Sequence, residues 1–406
     1  MKYDYDVVII GGGPSGMEAL LSAYEKTKSV LLIERDNILG GILNQCLHNG
    51  FGLKYFKEEL TGPEYAYKLA QKVLNSGATI LLNTYVTKVT ENSITYINET
   101  EEKTIFAKSI VLATGCRERS AGAISLTGTR PAGIYSAGLV QKMINHYGKL
   151  PGKKAVILGS GDIGLIMARR LTLEGVKVEF VLEVMSQSSG LPRNIRQCLE
   201  DFNIPLHLSH TITRVVGEEK VTGVYYAKVD ENLSPILSTE KFVECDTVIL
   251  SVGLIPENKI FPENLNYSNL TKSVIVNEKR QTSIPSIFTS GNVLHIHDLA
   301  DNASIEGQIA GKYAGEYALN EFEPTTEYNV NFDNNISYTV PQKVSLGATD
   351  FSIYFRVKKK FSRAKLEIFD GEKIIATKFY PSLNSSTMEE ITVKSPITSD
   401  ITVRIS

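Results

Sequence analysis

The chain is 406 residues long and 44.8 kDa, room for two to four domains at roughly 100 to 200 residues each, which excludes a single small binding module. Hydrophobic residues make up 42% and charged residues 22%, near the globular averages of about 45% and 25%, which excludes bulk disorder. Forty-five acidic and 43 basic residues leave a formal net charge of −2, too weak a field to gather nucleic acid or an anionic membrane, so small molecules and proteins are the expected partners.

In chain order, the apolar run Val7 to Ile10 is far shorter than a signal-peptide core or a membrane span, and a cytoplasmic protein is expected. The run predicts a strand, Asp6 to Ile10, that enters the turn Gly11-Gly12-Gly13-Pro14-Ser15-Gly16 and a helix from Met17 to about Tyr24. A second strand, Val30 to Ile33, ends in Glu34-Arg35, and a third, Ile110 to Ala113, in Thr114-Gly115. The order then repeats. Strand Ala155 to Leu158 enters Gly159-Ser160-Gly161-Asp162-Ile163-Gly164 and a helix from Leu165, strand Val178 to Leu182 ends in Glu183, and strand Val248 to Val252 ends in Gly253.

Each turn is a GxGxxG fingerprint. Its first glycine makes the tight turn, the second admits a pyrophosphate to the backbone, and the third packs helix on strand. The pyrophosphate sits at the helix N-terminus, and the carboxylate about 20 residues on takes the ribose hydroxyls. Two such sites in one chain point to electron exchange between different carriers, with FAD and NAD(H) the expected pair. A carboxylate about 4 Å from a 2′-phosphate costs on the order of 4 kcal/mol per unit charge at a dielectric of about 20, so Glu183 favours NADH over NADPH. Arg193 and Arg196 are the basic residues that could oppose this.

The four cysteines, Cys46, Cys116, Cys198 and Cys245, form no CxxC pair and no zinc-type spacing, so neither a disulfide framework nor a metal is expected. Cys46 with His48 is a candidate single redox thiol; packing beneath a cofactor is the structural alternative. In Leu294-His295-Ile296-His297-Asp298, alternation places both imidazoles on one side if the segment is extended, a candidate polar or proton-transfer group before a helix around Glu306 to Tyr313. From about Tyr328 the composition turns to short alternating strands, including Phe351, Ile353, Phe355 and Val357, with a hairpin at Asp370-Gly371. Around 75 residues of this kind fit an immunoglobulin-like sandwich. Lys358-Lys359-Lys360 reads as a solvated turn or edge.

Both glycine motifs, Ala113-Thr114-Gly115, Ile287-Phe288-Thr289-Ser290-Gly291-Asn292 and Gly253 with Pro256 resemble the FAD-dependent pyridine nucleotide oxidoreductases, the superfamily of thioredoxin and glutathione reductases, over residues 5 to 325. The resemblance implies an α/β fold of two Rossmann-like domains: an FAD domain (1–117 and 253–325), an inserted NAD(H) domain (118–252) and the small β-domain (328–406). It places FAD at Gly11, Gly13, Pro14, Ser15, Gly16, Glu34, Arg35, Gly41, Thr114, Gly115, Gly291 and Asn292. NAD falls at Gly159, Gly161, Asp162, Ile163, Gly164, Glu183 and Gly253. Asn292 stands where the family usually has Asp, an exchange that keeps a hydrogen bond to the flavin's ribityl chain.

Longer strings, Cys46 to Leu53, Gly115 to Arg119, Gly128 to Gly133 and Gly291 to Leu299, resemble the bacterial flavoprotein grouped with glycerol-3-phosphate dehydrogenase. This implies an NADH:acceptor oxidoreductase working with a flavoprotein dehydrogenase, with a small cysteine-containing carrier, and with oligomers open. Two rival readings remain: a single-cysteine NADH oxidase or peroxidase using Cys46, and a non-catalytic NAD(H)-sensing or assembly subunit.

Overall fold

The computed structural model describes residues 2–321 and 325–406. Residues 1 and 322–324, at the outer ends of the two expected FAD-domain segments, lie outside the described residues. Six α-helices occur among the described residues: α1 (Pro14–Lys26), α2 (Gly62–Ser76), α3 (Ala137–Tyr147), α4 (Asp162–Leu173), α5 (Pro192–Cys198) and α6 (Ala300–Ala318). The chain forms two compact units, residues 1–116 with 256–406, and residues 117–255.

In the first unit a parallel sheet runs in the order Thr79–Leu81, Val30–Ile33, Tyr5–Ile10, Glu102–Leu112, with Ile287–Thr289 added in parallel beyond it. The run Val7 to Ile10 is apolar at every position because both faces are covered. Val7 and Ile9 join a core with α1, α2 and α6, whereas Val8 and Ile10 join one beneath the antiparallel strands Tyr85–Val89 and Ser93–Ile97. Helix α1 begins at Pro14, three residues before the expected start, since proline needs no hydrogen-bond partner in a first turn. Across it lies α6, whose Gly307 and Gly311 leave no room for a Cβ: one would overlap the backbone of Ser15 and Ala19.

The C-terminal β-rich region belongs to the same unit. One sheet holds Lys343–Ser345, Glu327–Phe332, Ile401–Ile405, Phe361–Asp370 and Lys373–Leu383; the other holds Ile336–Val340, Phe351–Val357 and Glu389–Val393. Both feed one core, with Val330, Leu366 and Val403 meeting Ile353, Phe355 and Val393. The hairpin expected at Asp370-Gly371 closes with Asp370 opposite Lys373 and Gly371 at φ 59°. Lys358, Lys359 and Lys360 are exposed in a turn.

Strand Phe351–Val357 buries its apolar side as the alternation requires, yet Tyr354 on the other side is also buried. That side rests on the loop before α6. Arg356 donates through Nη2 to Asp298 and to the Ile296 carbonyl (3.1 Å). Glu390 takes a salt bridge from Lys54 at 2.8 Å.

The second unit is a parallel sheet in the order Ile134–Ser136, Thr247–Leu250, Lys154–Leu158, Lys177–Glu183, Leu206–Leu208. Helices α3, α4 and α5 pack on it through Val140, Leu165, Ala168, Leu171 and Cys198. A three-stranded antiparallel ribbon, His210–Val216, Gly223–Lys228 and Lys241–Glu244, completes the unit.

Candidate functional site

The two glycine turns share one backbone plan. Gly11 and Gly159 have φ of 107° and 102°, a conformation L side chains rarely adopt. Beside Gly13 a Cβ would find nothing within 4 Å, and beside Gly161 only the Ser189 and Ser251 hydroxyls at 3.7 Å, an ordinary contact distance, so neither middle glycine is crowded. Neither α1 nor α4 has a side-chain cap at its N-terminus, which leaves the first backbone N–H groups for an anion. A dinucleotide pyrophosphate fits both cradles.

The carboxylates match as well. Glu34, 6% exposed, accepts from Gly12 N at 2.5 Å and Asp36 N at 2.8 Å. Glu183, 5% exposed, accepts from Ser160 N at 3.0 Å, Ser160 Oγ at 2.6 Å and Met185 N at 3.0 Å. Each acid is thus locked to its own glycine turn. Arg35 beside Glu34 is exposed. In the second turn Ile163 is half-buried, and Asp162 ties its helix to the following loop through Leu191 N (2.8 Å) and Asn194 Nδ2 (2.7 Å). Gly253, at φ 97°, offers its carbonyl to Arg119 N at 3.1 Å.

Within the first unit the distant motifs meet. Ser15 Oγ lies 2.7 Å from Ser290 Oγ, joining the first turn to the late segment. Gly40 N donates to Gly12 O at 2.8 Å, so the bend at Gly41 lies against the same turn. Thr114 Oγ1 donates to Glu257 O (2.6 Å), and Glu257 N to Gly115 O (3.0 Å). Asn292 Oδ1 accepts from His297 N at 3.0 Å.

His295 and His297 converge although their segment is a turn and not an extended strand. Both reach Glu306 on α6: His295 Nε2 donates to Oε1 at 3.1 Å and His297 Nε2 to Oε2 at 2.9 Å. Arg280 Nε donates to Oε1 at 2.8 Å and Gly291 N to Oε2 at 2.8 Å. Burial opposes the charge on Glu306, but the histidines and the Arg280 guanidinium hold its carboxyl well below the usual range. Burial lowers His295 to about 4, so it is neutral at pH 7.

The ligand-type atoms of His295, His297 and Glu306 lie within 4.8 Å of one another. One feature opposes a cation there: Arg280 already sits on the same carboxylate. The cluster is a hydrogen-bonded knot that fastens the Gly291-Asn292 bend to α6.

Cys46 is half-buried, its Sγ 3.3 Å from the Ile42 carbonyl, and His48 Nδ1 lies 3.0 Å from the Asn49 carbonyl with its ring near Phe51. Burial pushes the Cys245 thiol up to about 12 and raises that of Cys198, which disfavours the thiolate in both.

The sequence reading missed Arg280, Glu306 and Asp301. Asp301 accepts from Gly52 N (3.1 Å), Lys54 N (3.0 Å) and Tyr55 N (2.6 Å), clamping the loop after His48 onto α6. The available signal was an acid among the alanines and glycines of a buried helix, where it has to meet a donor.

The profile of the pyridine nucleotide-disulphide oxidoreductases matches residues 5–307. The chain belongs to that family. This pyridine nucleotide-disulphide oxidoreductase is 26% identical over 321 residues to thioredoxin reductase of Listeria monocytogenes, covering 77% of this chain and 94% of the relative. To that of Ureaplasma parvum it is 26% identical over 318 residues, covering 77% and 96%. The crystal structure of T. acidophilum thioredoxin reductase superposes with a TM-score of 0.62 at 23% identity, covering 78% of this chain and all (100%) of that one, a likeness of fold. The protein is therefore a flavin- and NAD(P)-dependent oxidoreductase of a family that binds FAD and uses NAD(P)H. Among the described residues no helix is long and apolar enough to cross a membrane.

Proposed function

We propose that this chain is an NADH:acceptor oxidoreductase that carries FAD in its first unit and takes NADH in its second, passing electrons to a partner protein or small acceptor instead of a cysteine pair of its own. The observation that carries this reading is the like construction of two dinucleotide cradles in a chain whose cysteines are spaced far apart. The bound flavin supplies the two-electron chemistry between nicotinamide and acceptor. In this reading the bare start of α1 holds the FAD pyrophosphate, Glu34 the adenosine ribose and Asn292 the ribityl chain. Thr114, Gly115 and Gly41 shape the walls, and His295 and His297 position the Asn292 bend through Glu306. Glu183 selects NADH by repelling a 2′-phosphate.

The partner proposed is a glycerol-3-phosphate dehydrogenase-like flavoprotein, reached directly or through a small cysteine-containing carrier. The strings at Cys46 to Leu53, Gly115 to Arg119, Gly128 to Gly133 and Gly291 to Leu299 support it. The two-sheet β-region is read as an immunoglobulin-like module. Anaerobic titration with NADH should bleach the flavin stoichiometrically, with slow reoxidation by oxygen; no bleaching would sink the hydride-transfer reading for the isolated chain. Equal flavin reduction by NADPH would remove the role given to Glu183. Affinity purification from the native cell that recovers no flavoprotein or redox carrier would count against the partner.

A further inference from the structure

We propose that the second unit holds a binding site for a small organic oxyanion, a carboxylate or phosphate ester, gripped by Arg119 and Arg130. The two arginines line a cavity of about 410 Å³ together with the hydroxyl-bearing Ser120, Thr129, Tyr135 and Ser136, within the roughly 300 to 1,000 Å³ of small-molecule sites. Its place in the fold is favourable. Ser136 and Leu250, at the ends of strands Ile134–Ser136 and Thr247–Leu250, line it, and Thr247–Leu250 runs parallel to Lys154–Leu158, which leads into Gly159. The cavity therefore opens on the same carboxyl edge of the sheet as the second glycine turn, where open α/β sheets take their ligands.

Charge selects the class of ligand. Neither Arg119 nor Arg130 has a side-chain hydrogen bond or ion pair with any described residue. The acid in the lining, Glu118, is committed by its Oε1 to Gly138 N at 2.8 Å, at the start of α3. A guanidinium lining a cavity without a carboxylate partner of its own suits an incoming oxyanion, which its fork can bind bidentately. The apolar wall of Leu126, Ile134 and Leu139 favours a short carbon skeleton over a bare inorganic ion.

The backbone beneath the arginines is fixed in advance. Around Arg130, Thr129 N donates to Val215 O (3.1 Å), Val215 N to Thr127 O (3.0 Å), Ala132 N to Glu219 O (2.9 Å) and Val221 N to Ala132 O (2.9 Å). Gly128, at φ 103°, lies so close to Val215 that a Cβ would overlap its backbone. Such pinning lowers the entropy cost of gripping a ligand. It also gives a use to Arg119 and to the string Gly128 to Gly133, which the dinucleotide fingerprints do not need.

The test is calorimetry on the FAD-loaded full chain at physiological salt, with NAD⁺ saturating so that neither glycine turn competes. The probes are succinate, phosphoglycolate, inorganic phosphate and the neutral succinamide. Succinate or phosphoglycolate should bind at least about tenfold tighter than inorganic phosphate and succinamide, and the paired substitution Arg119→Gln with Arg130→Gln should weaken that binding at least about tenfold. Both side chains are exposed, so thermal melting should be unchanged; Arg130→Lys, which keeps the charge and loses the fork, should fall between. Whichever organic anion binds tighter identifies the oxyanion. No binding by the unaltered protein, no preference over inorganic phosphate, or undiminished binding by the double variant overturns the proposal. Because heat and not hydride transfer is read, these outcomes are separate from the NADH titration.

Discussion

Four donors reach the carboxylate of Glu306, and only Arg280 among them brings a permanent charge. Glu306→Gln would leave that guanidinium, 1% exposed, buried without its counter-charge. We expect a loss of roughly 3 to 5 kcal/mol in urea unfolding, with weaker FAD retention as the Gly291 bend loosens. His295 sets a pH dependence of definite sign. Its folded value of about 4 lies below the ordinary 6.5, so below that ordinary value the unfolded chain takes up a proton the folded site refuses. Stability is then full above about pH 6.5 and falls by a few kcal/mol as the pH drops toward 4. Melting temperature followed across that range should show the decline, and His295→Asn should flatten it.

Helices α1 and α6 approach so closely because glycine recurs at every fourth position of α6, at Gly307, Gly311 and Gly315, the spacing that places residues on one helix face. Gly307 and Gly311 touch the backbone of α1 and Gly315 the side chain of Lys26. Gly311→Val would force the helices apart at Ala19. A destabilisation of about 1 to 3 kcal/mol is expected from overpacking. Since α1 carries the first glycine turn and α6 carries Glu306, FAD affinity should fall with it. Unchanged affinity in a variant that still folds would mean that the helix spacing does not set the cradle.

For the molecule as a whole, the β-rich region is an integral part of the first unit. Tyr354 lies 5.6 Å from the His295 ring and 6.0 Å from that of His297, sealing the knot from water. Arg356 holds the same loop through Asp298 and the Ile296 carbonyl, and Met388 N donates to Asp298 Oδ2 at 2.6 Å. Arg356→Met should therefore speed amide hydrogen exchange in residues 296–298 as well as in the β-region. Faster exchange confined to the β-region would show that the two are not coupled.

How much of this was legible depends on whether the signal was local. Gly11 to Gly16 and Gly159 to Gly164, each followed by a strand ending in an acid, announce their conformation in a few consecutive residues, because a tight turn, a close backbone approach and a helix start are short-range demands. The sequence by itself therefore determined two dinucleotide cradles, the α/β class and the change to β-structure near Tyr328. It could not announce that Glu306 would meet Arg280, His295 and His297, nor that the polar side of Phe351–Val357 would be buried against the loop at Asp298. A side chain's partner is set by which distant segments the fold brings together, and a period-two pattern reads the same whether its polar face meets water or another protein surface. Tertiary structure alone decided those contacts, and with them the rigid setting in which Asn292 stands.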